Sequence, residues 1–199
     1  VKRKDARGPI GAVTEKAGNK ATPVSRIKAA RGFKVELLYS VPGDTQGSWI
    51  NLCTDNKGRL LASDQFGGLY RMTPPAIGET LSADDVQPVS ADIRAANGMV
   101  WAFGALYVAV NDFEKKMQSG LYRVTDSDGD DELDKVELLR AIKARGGHGI
   151  HAVVPTPDGE GLFLITGNNT TRPKLAETSP VRQVWGEDHL LPRMPDGRG

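Results

Sequence analysis

The chain has 199 residues, 39% of them apolar and 26% charged, and a formal net charge of +1. That balance belongs to a globular chain and excludes a disordered or fibrous one, and the length suffices for a sizeable core in one or two domains. Nothing in it reaches the run of about 18 apolar residues that a membrane-spanning helix needs.

The small net charge hides an asymmetry. Residues 1–32 hold nine Lys/Arg against Asp5 and Glu15, a net of +7, which leaves −6 for the remainder. Up to Arg31 the sequence is Gly-, Pro-, Lys- and Ala-containing without a sustained period, so residues 1–31 read as a basic flexible linker. Ser25 to Ala30 has the composition of a helical turn. No aromatic residue precedes Phe33, so this segment lacks a stacking platform for nucleic acid, and no nucleic-acid partner is expected. The start is charged where a signal peptide would be apolar.

From residue 32 onward short apolar runs alternate with turn residues. Phe33 to Val41 alternates as a strand would, and Pro42-Gly43-Asp44 turns it. Ser48 to Thr54 supplies the next strand, Asp55-Asn-Lys-Gly58 a hairpin turn, and Leu60 to Ser63 and Leu69 to Met72 two further strands. Thr73-Pro-Pro75 ends this unit, because proline cannot donate to a central ladder. The second unit is expected to run through Val86–Ile93, Met99–Phe103, Leu106–Val110 and Leu121–Val124. A third is expected to begin at Val136–Ile142 and to continue with Ile150–Val154 and Leu162–Thr166. No amphipathic helix of ten or more residues is evident.

These units repeat. Gly68-Leu-Tyr-Arg-Met-Thr73 returns as Gly120-Leu-Tyr-Arg-Val-Thr125, an offset of 52, and Lys34-Val-Glu-Leu-Leu38 returns as Lys135-Val-Glu-Leu-Leu139, an offset of 101. A period near 50 made of short strands points to propeller blades, each a four-stranded antiparallel sheet. The predicted fold is therefore all-β: a partial β-propeller over residues 32–199, with about three blades of a six-bladed ring. Three blades do not close a ring, since propellers have about four to eight. The chain is accordingly expected to be part of a longer protein whose propeller continues beyond it.

Two local motifs carry chemistry. Asp126, Asp128, Asp130, Asp134 and Glu137 fall at positions 1, 3, 5, 9 and 12 of an EF-hand-like loop, with Leu133 at position 8. Hard oxygen ligands so spaced can converge on one Ca²⁺, here as a staple for a turn between strands. Position 6, ordinarily glycine, is Asp131, and strands rather than helices flank the loop, so Glu137 as a strand residue can point elsewhere. The alternative is a solvated acidic turn. The second motif is Gly146-Gly-His-Gly-Ile-His151, whose glycines allow a sharp turn that exposes His148 or His151 to a cavity. Imidazole is the commonest general base at neutral pH, although a lone histidine is more often a hydrogen-bonded turn residue. His148 and His151 also have the spacing of half a metal site, without evident further ligands. Cys53, the single cysteine, reads as a small buried hydrophobe in a strand, and His189 as part of a surface loop.

The run from His148 through Pro157-Asp-Gly to Gly167-Asn168 resembles the segment of soluble quinoprotein glucose dehydrogenases that carries the catalytic base. There a histidine precedes the Pro-Asp-Gly turn by nine residues, as His148 precedes Pro157 and His151 does not. More widely, Gly32-Phe-Lys-Val-Glu-Leu-Leu-Tyr-Ser-Val-Pro42, Gln46-Gly-Ser-Trp49, the Asp-Gly-Asp loop and Trp185-Gly-Glu-Asp-His-Leu-Leu-Pro-Arg-Met-Pro-Asp196 resemble large bacterial proteins described as membrane-bound dehydrogenases. These join a glucose/sorbosone-dehydrogenase-like propeller to helical repeats and a c-type haem module. The resemblance covers residues 24–199. It implies oxidation of a sugar or alcohol by pyrroloquinoline quinone, with His148 taking the hydroxyl proton, Asn97 contacting the cofactor, and electrons leaving to a cytochrome module elsewhere in the protein. It also implies a periplasmic or cell-envelope setting without membrane insertion by this segment. The cofactor-binding arginines and lysine of later blades and the haem motif are not in this chain, so the segment alone is expected to be inactive. A carbohydrate- or protein-binding propeller is the competing expectation, and a lactonase-type hydrolase with a channel metal the third.

Overall fold

A computed structural model describes residues 21–144, 146–171 and 177–178. Ten strands form three antiparallel sheets. The first is β1 (Trp49–Thr54), β2 (Leu60–Asp64), β3 (Leu69–Met72) and β4 (Gln87–Pro88) in sequential order. The second is β5 (Ala96–Ala102), β6 (Ala105–Val110), β7 (Gly120–Thr125) and β8 (Lys135–Ala141), also sequential. The third is a hairpin of β9 (Ile150–Pro155) and β10 (Leu162–Thr166). The chain is thus all-β over the described residues, its helical structure limited to short turns.

Local chemistry makes the hairpins. Asp55 Oδ1 accepts from the backbone N–H of Lys57 and of Arg59, both at 2.9 Å, and Gly58 has φ +76°, so the predicted turn forms between β1 and β2. Between β5 and β6, Phe103 and Gly104 both have positive φ, +50° and +70°, in the two-residue loop that matches the twist of paired strands. Pro88 lies in β4, an edge strand, where its missing N–H costs no ladder bond.

The sheets stack face to face, with β5 against β1 on one side and against β9 on the other. Alternation along β6 shows how both faces are used. Leu106, Val108 and Val110 enter the layer shared with Leu61, Leu69 and Cys53 of the first sheet, while Tyr107 and Ala109 enter the layer shared with Ile150, Val153, Leu162 and Leu164 of the hairpin. Each fully buried Leu or Val contributes about 1.5–3 kcal/mol. The first layer holds most of them, so the joint between the first two sheets is the centre of stability.

Three sequence expectations change. Phe33–Val41 is not a strand: it runs irregularly over the outer face of the first sheet, where Tyr39 stacks on Trp49 at 5.7 Å and donates its hydroxyl to Gln46 Oε1 at 2.9 Å. Tyr39 and Leu81 pack there against Ala62, Met72 and Val86, while Phe33 is 76% exposed. Alternation alone could not show that residues 33–41 find no strand to pair with among the described residues. Val86–Ile93 does not open the second sheet, because its only strand, β4, closes the first. Likewise Val136–Ile142 does not open the third, because β8 closes the second and the described third sheet has two strands. The repeated Gly-Leu-Tyr-Arg segments are β3 and β7, the third strand of each four-stranded sheet.

Candidate functional site

The histidine motif lies between β8 and β9. Residues Gly146–His148 form a single 3₁₀ turn. Asn111, almost wholly buried at the end of β6, donates its Nδ2 to Gly146 O at 3.1 Å, and Asn169 N–H donates to His148 O at 3.0 Å. Gly149 and Gly167 make these approaches possible. A Cβ on Gly149 would lie 2.1 Å from Asn111 Oδ1, and one on Gly167 would lie 2.4 Å from His148 O. The backbone of His148 is therefore pinned from two sides while its imidazole is exposed. Among the described residues neither the His148 nor the His151 ring makes a hydrogen bond or ion pair.

The three sheets share an irregularity that the sequence did not reveal. The first strand of each is bulged against the second at the same place: at Ile50 in β1, between Trp49 and Asn51; at Asn97 in β5, between Ala96 and Gly98; and at His151 in β9, opposite the step from Ile165 to Thr166. A bulge re-aims a side chain at a sheet's rim. Asn97 and His151 thus occupy equivalent positions on adjacent strands, and His148 stands two residues before β9 as Arg94 stands two before β5. Asn97 donates its Nδ2 to Ala95 O at 3.0 Å. Arg94 is committed to Glu114 at 2.7 Å and to buried Asp112 at 3.4 Å. Asn51 Oδ1, beside the first bulge, is buried without a partner among the described residues. Sequence reasoning chose His148 by its spacing to Pro157 and passed over His151, whose position only the strand register discloses.

At the other end of the second sheet, the acidic loop joins β7 to β8. Asp126, Asp128 and Asp130 each bring a carboxylate oxygen within 4.8 Å of the others, so three of the five expected ligands converge. The other two do not join them. Asp134 accepts from Ser127 N at 2.9 Å and Ser127 Oγ at 2.6 Å, and Glu137, on β8, is ion-paired with Arg123 of β7 at 2.6 Å. Asp126 accepts from the backbone N–H of Gly129 and Asp131, at 2.7 and 2.8 Å, which holds its carboxyl below the usual range. Asp131 takes φ +75° at the position where glycine is usual, and its carboxylate leaves the loop altogether. It receives a two-pronged contact from Arg59, at 2.6 and 2.9 Å, and a third from Lys57 at 2.8 Å, and these cations hold it far below the usual range. Arg59 also bonds buried Asp55 at 2.7 Å, and Arg71 bonds Glu132 at 2.6 Å, so the loop is clamped to the first sheet.

Cys53 faces the core between the first two sheets, as expected. Burial, reinforced by the charge of Asp55, pushes its thiol up to about 12. His189 and Trp185 lie outside the described residues, as do 1–20 of the expected linker. Within it, the helical turn expected over Ser25–Ala30 is found only as a 3₁₀ turn at Val24–Arg26, and residues 27–30 are not helical.

Fold and sites together define an all-β chain of stacked antiparallel sheets, with a histidine-bearing turn at one end and an acidic loop at the other. Set beside family models, curated proteins and solved structures, the chain matches none of them.

Proposed function

We propose that the three sheets are successive blades of a β-propeller, and that the end bearing Asn97, His148 and His151 is its ligand-facing end. The repeated bulge carries this reading, because it gives adjacent first strands the same register and so sets their side chains in one row. The repeated pentapeptide supports it too. Lys34 precedes the start of β1 at Trp49 by 15 residues, and Lys135 precedes the start of β9 at Ile150 by the same 15. Lys34–Leu38 then corresponds to β8, as the outer strand of a blade whose remaining strands lie elsewhere in the ring.

On this frame, the resemblance to glucose/sorbosone-dehydrogenase-like propellers supports oxidation of a sugar or other alcohol in the complete protein. His148 accepts the hydroxyl proton from a backbone already fixed by Asn111 and Asn169, so little ordering is needed at the moment of transfer. Asn97, with its Nδ2 engaged by Ala95 O, presents its side-chain oxygen to whatever lies over the row. Carboxylates of a quinone cofactor need cations. Lys115 and Lys143 line a cavity with Asp112 and Ser119, between the β6–β7 loop and residues 142–144, and have no ion pair among the described residues, so they are the cations this chain offers to that demand. Pyrroloquinoline quinone, when bound, supplies the two-electron acceptor, and a cytochrome module of the complete protein takes the electrons onward. Asp126, Asp128 and Asp130 hold Ca²⁺ as a staple of the outer loop. The setting is the periplasm or cell envelope.

A recognition propeller is the second reading, favoured by the exposed rings of His148 and His151, neither of which has an orienting partner among the described residues. Calorimetric titration of the complete protein with pyrroloquinoline quinone and Ca²⁺, beside His148→Ala and His151→Ala, separates the two. Saturable quinone binding, with alcohol oxidation lost in His148→Ala, is the expected result. Failure to bind quinone transfers the assignment to recognition.

A further inference from the structure

The cleft between the β1–β2 turn and the acidic loop lies at the opposite end of the second sheet from the histidine turn. Its volume is about 290 Å³, and its lining includes Asn56, Lys57, Arg59, Trp101, Thr125 and Asp131. That is just below the range for drug-sized ligand pockets, roughly 300–1,000 Å³, and suits a ligand of sugar-ring size. Trp101 is half-buried, packed against the core of the first two sheets and lining the cleft, so it offers a rigid aromatic surface.

Charge decides the class of ligand. The lining carries three cations, Lys57, Arg59 and Arg71, and three carboxylates, Asp55, Asp126 and Asp131. The cations are largely spent on the acids: Arg59 on Asp55 and Asp131, Lys57 on Asp131, and Arg71 on the neighbouring Glu132. Apart from Asp126, which belongs to the acidic cluster and is engaged by the loop's own N–H groups, the wall pairs its charges off and leaves an anion no free cation. It does present many fixed donors and acceptors, held in place by one another. Among the described residues the indole N–H of Trp101, the Asn56 amide and the Thr125 hydroxyl make no hydrogen bond and are free to meet a ligand. A flat aromatic surface, locked charged groups of both signs and uncommitted neutral donors together match a neutral polyhydroxylated ring. We propose that this inter-sheet cleft is a binding site for a neutral carbohydrate, distinct from the histidine end of the molecule and not resting on the function proposed for that end.

The test is saturation-transfer NMR on the whole chain with cellobiose, maltose and xylobiose as probes, and with sodium phosphate, followed by the broadening of its phosphorus resonance, as the charged control. Saturable binding of at least one disaccharide and none of phosphate is expected. Asn56→Ala, whose side chain is exposed and outside the core, and Thr125→Val should each weaken that binding by about tenfold, the scale of one well-made hydrogen bond. Trp101→Ala should abolish it, and His148→Ala should leave it unchanged. Absence of binding by all three sugars, preferential binding of phosphate, or wild-type affinity in both Asn56→Ala and Thr125→Val overturns the proposal. Loss of binding in His148→Ala would place the sugar at the other end and overturn it as well.

Discussion

Gly98 is the point at which the stacking of the sheets can be tested most sharply. It lies in β5, with a φ that any residue can adopt, and faces β9 so closely that an added Cβ would sit 2.4 Å from His151 O and 2.8 Å from Ala152 Cα. Both obstructing atoms are backbone, so no side chain can swing aside. Ordinary contact begins near 3.4 Å, and β9 must therefore retreat from β5 by about 1 Å to admit a methyl group. Overpacking of this kind costs about 1–3 kcal/mol. Alanine restricts the unfolded chain and returns about 0.4–1 kcal/mol of that. The net loss for Gly98→Ala is then about 0–2.6 kcal/mol, centred near about 1.3 kcal/mol, which at a urea dependence of about 2 kcal/mol per molar lowers the unfolding midpoint by about 0.6 M. Gly147→Ala is the control, since a Cβ there meets nothing within 4 Å and the backbone φ is not positive. Urea melts followed by circular dichroism, with the ring resonances of His148 and His151 recorded by NMR, measure both consequences. A midpoint for Gly98→Ala equal to that of Gly147→Ala, with unmoved histidine signals, would refute the close β5–β9 packing and the shared register that depends on it.

Two more outcomes follow from the charged and buried groups. Asp126 and Asp131 have folded-state pKa values below the usual 3.8, the first through backbone N–H donors and the second through Arg59 and Lys57. The unfolded chain therefore takes up protons first: the stability they contribute is complete above pH 3.8 and is lost as pH falls through the depressed folded values. The melting temperature should rise with pH across that acid window, and the rise should be shallower in Asp131→Asn, as read by thermal melts from about pH 2 to pH 6. Cys53, its thiol pushed up to about 12 by burial and by Asp55, holds almost no thiolate at mild alkaline pH. Ellman's reagent should modify the native chain on the order of a hundredfold more slowly than the urea-unfolded chain; equal rates would mean that the first core layer is open.

Much of the fold was legible because it depends on neighbours in sequence. Leu60–Ser63, Leu69–Met72 and Leu162–Thr166 alternate or run apolar between strong turn signals, and all three are strands within a residue of the expected bounds. Periodicity also found β4 and β8 in part but assigned both to the wrong sheet, because a strand's pattern does not say which edge it joins. Residues 33–41 show the converse: they have a strand's alternation, and Lys34–Leu38 repeats the β8 sequence, but a strand needs a partner as well as a pattern. At the acidic loop the spacing of Asp126, Asp128 and Asp130 was sufficient to bring them together. The same spacing rule failed for Glu137, because a strand residue is oriented by its ladder, and β7 offers it Arg123. Arg59 and Asp131 lie 72 residues apart, and no local signal could have joined them.

By itself, then, the sequence determined the all-β character, the hairpin turns, the repeat and the acidic turn, all of which are set by backbone preferences and by apolar periods a few residues long. Only the tertiary structure decided which strands share a sheet, that β1, β5 and β9 are bulged in one register, that His151 stands level with Asn97, and that the acidic loop is clamped to the first sheet. These are contacts between residues far apart in the chain, fixed by packing and charge pairing once the sheets stack.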